Sequence, residues 1–84
     1  MDRDTQIQYH FLPGTLLPEV ALHELAARVG CRCEIRDLAE SRAVRFIAPN
    51  HYFSPGRAAD LNIGVSRSLG LRYEKLDGLA YLDD

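Results

Sequence analysis

No stretch of this 84-residue chain approaches the run of about 18 apolar residues that spans a bilayer as a helix, so membrane insertion is not expected. The opening Met1-Asp2-Arg3-Asp4 is too acidic and polar to begin a secretory signal. No segment is of low complexity and none repeats, which excludes disordered tails and solenoids. Neither sign of charge dominates: 10 Lys and Arg against 12 Asp and Glu leave a formal net charge of -2. The chain therefore lacks the positive field that draws proteins to phosphate backbones or anionic lipid, and nucleic acid is not an expected partner. Only two cysteines occur, Cys31 and Cys33, and at i and i+2 they share one face of a strand instead of joining distant segments. A disulfide framework is not expected; reduced, buried thiols suit the cytoplasm.

What is present is ordinary globular composition, 46% hydrophobic and 26% charged. One domain over residues 1–84, with its core at about 6–82, can close one hydrophobic core but not also enclose a deep substrate cavity. Ile7, Tyr9 and Phe11 alternate with Gln6, Gln8 and His10, the period-two signature of a half-buried strand, and Pro13-Gly14 ends it. From Pro18 to Val29 the period changes: Leu22, Leu25, Ala26 and Val29 share a helical face, with Pro18 in the first turn and Gly30 as the left-handed cap. Cys31, Cys33 and Ile35 alternate again, then Val44 and Phe46 after Glu40-Ser41, which reads as two strands of a hairpin.

After a loop from Pro49 to Phe53, Ser54-Pro55 reads as an N-cap with proline at the first helical position. The second helix has Ala58, Leu61, Val65 and Leu69 as its buried stripe and Gly70 as its cap. Asp77-Gly78, between Leu71–Leu76 and Leu79–Leu82, is suited to a type I′ hairpin turn. The order is β-α-β-β-α-β(β). Burying one face of a mostly antiparallel sheet requires both helices on the same side, an α+β two-layer sandwich.

The segment Leu22-His23-Glu24-Leu25-Ala26-Ala27-Arg28-Val29-Gly30 follows a strand and a proline-containing turn, and Leu69-Gly70-Leu71-Arg72-Tyr73 closes the second helix. With Asp77-Gly78 and Leu79-Ala80-Tyr81-Leu82, the arc from Ile7 to Leu82 resembles the short N-terminal (STN) domain of secretins and TonB-dependent signalling receptors. The resemblance implies a docking module that recognises partner proteins, and no chemistry. It covers nearly the whole chain through packing and turn positions, while the signal peptide and the following barrel or ring of that family have no counterpart here. An excised envelope domain would belong in the periplasm; a complete chain would belong in the cytoplasm.

Cys31 and Cys33 with His10, His23 and His51 are the one conceivable metal set, but histidines dispersed over a strand, a helix and a loop lack the tight spacing of zinc knuckles. Neither a metal nor a cofactor is expected. A cysteine paired with His10 or His51 would be a desolvated, inert nucleophile, and Gly14, Gly56 and Gly64 build no phosphate loop, so no catalytic residue is assigned. Arg32 and Arg36, with Arg45 on the neighbouring strand and Glu34 between them, read either as a cross-strand ion-paired face or as a stripe for an acidic partner. The first candidate docking surface lies elsewhere. His51 and Tyr52 are read as exposed loop anchors ahead of the second helix, with Phe53 packing as a staple. Asn62-Ile63-Gly64-Val65-Ser66 strings together poor helix formers, and Ile63 falls on the water side, on a stripe with Ala59 and Arg67.

The expectation is thus a non-enzymatic protein-protein interaction domain of STN type, docking through His51, Tyr52, Ala59, Ile63 and Arg67, with the face of Arg32, Arg36 and Arg45 as the competing site. The alternative is a free-standing phage or mobile-element inhibitor, anti-CRISPR-like, that binds and blocks a host defence or regulatory complex. Another protein is the expected partner in both cases, and self-association stays open.

Overall fold

The alternation of Ile7, Tyr9 and Phe11 becomes β1 (Asp4–Phe11), one of the two inner strands of the sheet. In the computed structural model, which describes residues 4–49 and 52–81 (79–81 by backbone alone), β1 is followed by α1 (Glu19–Val29), β2 (Arg32–Asp37) and β3 (Arg42–Pro49). Next come α2 (Pro55–Ile63), a π-helical turn over Gly64–Ser68 and β4 (Lys75–Tyr81). The sheet order is β2-β3-β1-β4 and every pairing is antiparallel. Ile7, Tyr9 and Phe11 meet Val44, Phe46 and Ala48 on one face, where Leu22, Leu25 and Ala26 of α1 and Leu61 and Val65 near the end of α2 close the core. The result is a two-layer α+β sandwich with both helices on one face.

The helix ends follow local chemistry. Ser54 Oγ accepts a hydrogen bond from Arg57 N at 3.2 Å, and Pro55 opens α2 at a first-turn position whose N–H would have no helical acceptor. Gly30 closes α1 at φ +94°, and a β-carbon there would overlap the Tyr52 hydroxyl, so glycine is required twice over. Pro18 stands just before α1 and not within its first turn. The poor helix formers after Asn62 take a distinct form: Leu69 N reaches Gly64 O at 3.0 Å, a five-residue step that makes the π-helical turn. The stripe Ala58, Leu61, Val65 and Leu69 still faces inward, because spacings of three and four keep it on the sheet side.

Two further expectations need correction. Asp77-Gly78 is not a hairpin turn: β4 runs straight through both residues, and Gly78 lacks the positive φ that such a turn needs. Gln6 pairs with Ala80 and Gln8 with Asp77, so Gly78 and Leu79 together oppose Ile7 in a β-bulge. The bulge absorbs the residue that the turn would have used, and Leu71–Glu74 forms no ladder with which a hairpin could pair. The second correction concerns Cys31 and Cys33, which are half-buried instead of fully buried, because β2 is an edge strand. Leu82, at the end of the expected hairpin, lies outside the described residues.

Candidate functional site

Of the anomalous run Asn62 to Val65, three members have uses inside the fold. Asn62 Oδ1 accepts from the hydroxyls of Tyr9 and Tyr73, each at 3.3 Å, which ties α2 to the sheet. Burial drives the Tyr9 hydroxyl upward from its ordinary pKa, so it acts as a donor and not as an acid. Gly64 allows α2 to sit directly on Leu25 of α1, and Val65 is a core residue. Ile63 is the exception, 46% exposed beside a cleft of about 430 Å³ between the two helices. Arg28 and Val29 of α1 and Arg57 and Asp60 of α2 line that cleft with it.

Ala59 and Arg67 are exposed, as their stripe requires. Tyr52 departs from expectation: it is half-buried, its hydroxyl donates to Val29 O, and its ring packs edge-on against Phe53 at 5.7 Å between centroids. The Arg57 guanidinium lies 4.4 Å from the Tyr52 ring centroid and also donates to Tyr52 O at 2.7 Å. Tyr52 therefore braces the groove and holds Arg57 at its rim, instead of projecting as an anchor. His51 lies outside the described residues.

Arg32, Arg36 and Arg45 do share the uncovered face of the sheet. Each has a partner there: Arg32 with Asp4 at 3.1 Å, Arg36 with Glu34 at 3.4 Å, and Arg45 Nε donating to Gln8 Oε1. Two of the three thus face a carboxylate, whereas the partner of Arg45 is a neutral amide that leaves its charge uncompensated.

On the same face the structure gathers three residues that sequence spacing kept apart. His10 Nδ1 lies 3.1 Å from Ser41 Oγ, and His10 Nε2 lies 2.7 Å from Asp77 Oδ2 and 2.9 Å from Gln8 Nε2. Pairing with His10 holds the Asp77 carboxyl below its ordinary range, with a further contribution from Lys75 at 3.4 Å. The sequence obscures this cluster because Asp77-Gly78 reads as a turn and Ser41 as part of a polar break. Leu16, Val20 and Leu12, at 91%, 74% and 60% exposure, were also not singled out; no periodicity marks side chains in and beside a loop.

Burial pushes the thiols of Cys31 and Cys33 up to about 11 and about 12, which leaves them neutral and unreactive at pH 7. Among the described residues no three or more His, Cys, Asp or Glu side chains converge to hold a metal ion, and no helix is long and apolar enough to cross a membrane. Comparison with family models, curated proteins and solved structures finds no match to this chain.

Proposed function

We propose that this chain is a protein-interaction domain of the STN docking type that engages its partner through the α1–α2 groove around Ile63. The observation that carries the reading is the position of Ile63. Asn62, Gly64 and Val65 serve the fold, whereas Ile63 presents an apolar side chain to water beside a preformed cleft. A π-helical turn starts at the next residue, an irregularity that recurs at functional sites and costs helix regularity to keep. Ile63 supplies the apolar centre, and Arg57, oriented by Tyr52, with Arg28 and Asp60 form a polar rim that sets the partner's register. On the competing sheet face Arg32 and Arg36 already face Asp4 and Glu34, which reduces the positive charge an acidic partner would read and leaves Arg45 as its one arginine without a carboxylate partner among the described residues.

The test places a photo-activated benzophenone side chain at position 63, 36 or 16 in turn, in the cell that makes the protein. Position 36 samples the arginine face and position 16 the exposed loop. A single discrete adduct from 63, absent from the other two, is expected. An adduct that forms from 36 or 16 and not from 63 overturns the helix groove as the docking surface.

A further inference from the structure

The geometry points to a second capacity on the opposite side of the molecule: Ser41, His10 and Asp77 form a nucleophile, a general base and an orienting carboxylate able to hydrolyse small esters with an apolar acyl group. This goes beyond the docking reading and does not depend on it. The three side chains come from the β2–β3 turn, β1 and β4, so the sheet itself sets their spacing. With Nε2–H donating to Asp77 at 2.7 Å, His10 Nδ1 keeps a lone pair 3.1 Å from Ser41 Oγ, where it can take the hydroxyl proton. A triad is defined by these roles and distances, not by residue order.

The surroundings suit acyl transfer. His10 and Ser41 line an open cleft of about 500 Å³ whose walls include Leu12 and Leu38, both exposed apolar side chains that an acyl chain would cover. In the turn, Leu38 N donates to Ser41 O, while the amides of Ala39 and Glu40 have no backbone acceptor among the described residues. Both residues line the cleft, so their N–H groups are the backbone donors nearest to hand for a developing oxyanion.

In the first step Ser41 Oγ bonds to the ester carbonyl carbon as its proton passes to His10 Nδ1. The tetrahedral oxyanion collapses, the bond to the alkoxy group breaks, and that group takes the proton from Nδ1 and leaves as an alcohol. Water then adds to the acyl-serine carbonyl and gives a proton to Nδ1. The bond to Ser41 Oγ breaks, Oγ recovers the proton, and a carboxylic acid departs.

Gln8 sets a restraint on this sequence. Its Oε1 is held by Arg45, which turns its Nε2–H group onto the same His10 nitrogen that Asp77 uses, at 2.9 Å. Gln8 is satisfied by the tautomer in which Nδ1–H points at Ser41 and no base faces the hydroxyl; Asp77 selects the active one, and a charged acceptor is the stronger partner. Gln8 is thus a positioning residue that works against Asp77.

The experiment follows hydrolysis of 4-nitrophenyl butyrate by the full chain and locates a fluorophosphonate adduct by mass spectrometry, with circular dichroism confirming the fold of each variant. The adduct is expected on Ser41. Ser41→Ala and His10→Gln should fall to the protein-free rate, and Asp77→Asn should lose at least about tenfold. Gln8→Met should gain several-fold, and His23→Gln, an exposed histidine on α1, should leave the rate unchanged. A network that merely fastens strands would lower the melting temperature of Ser41→Ala without changing hydrolysis. That result, an adduct on another residue, or a Gln8→Met variant that loses rate as Asp77→Asn does would overturn the proposal.

Discussion

Gly64 rests on the side chain of Leu25 so closely that a β-carbon at position 64 would overlap both methyl groups of that leucine. This contact fixes how near α2 approaches α1 and therefore the width of the groove beside Ile63. Gly64→Ala should gain about 1 kcal/mol in helix propensity but lose about 1–3 kcal/mol to overpacking, for net destabilisation. A urea midpoint equal to or above that of the unmodified chain would show that the helices can separate without cost.

Phe46 and Leu61, both 0% exposed, belong to the same core cluster from opposite layers of the sandwich. Truncating either to alanine leaves a cavity that the sheet and helices cannot fill, so each variant should lose about 2–5 kcal/mol in denaturant titrations. For a domain of this size that is a large share of the total stability.

Asp77 gives the fold a dependence on acid. Its carboxyl titrates lower in the folded chain than in the unfolded one, so its contribution is present above the unfolded value of about 3.9 and fades as pH falls through the folded value. Asp77→Asn should therefore have a lower midpoint than the parent at pH 7, and the gap should narrow as pH falls below the unfolded carboxyl value. Equal midpoints at pH 7 and throughout the acid range would mean that the His10–Asp77 pair contributes nothing to stability.

The thiols make a prediction of the opposite sign. Cys31 and Cys33 titrate higher when folded, at about 11 and about 12, so folding favours their neutral forms and that preference is lost as pH rises past the unfolded thiol value toward the folded ones. Alkylation by iodoacetamide at pH 8 should run at least about tenfold slower in the folded chain than in urea. Equal rates would place both sulfurs in water.

Most of the fold was legible because its determinants are local. Ile7, Tyr9 and Phe11 alternate, Leu22, Leu25 and Ala26 share a helical stripe, and Ser54-Pro55 and Gly30 mark ends by chemistry that acts within a turn. The ending misled because Asp77-Gly78 satisfies a turn and a bulge equally well in sequence, and only pairing with β1 distinguishes them. The same limit hid the cluster on the sheet: His10 meets Ser41 and Asp77 across 31 and 67 residues of chain, a separation that no spacing rule connects. Ile63 is legible because a poor helix former facing water is itself a local anomaly. The sequence puts Tyr52 outside because its bond to Val29 is not local.

The docking account is tested most directly by the affinity of the partner captured at position 63 for two folded variants, Ile63→Asp and the pair Arg32→Glu with Arg45→Glu, each at low and high salt. Ile63→Asp should weaken binding by at least about tenfold, roughly 1.4 kcal/mol, while the arginine pair stays within about twofold. Because the contact is apolar at its centre, added salt should change the parent's affinity little. If Ile63→Asp binds as the parent does, and the arginine pair loses an affinity that salt also screens, the sheet and not the helix groove is the working surface.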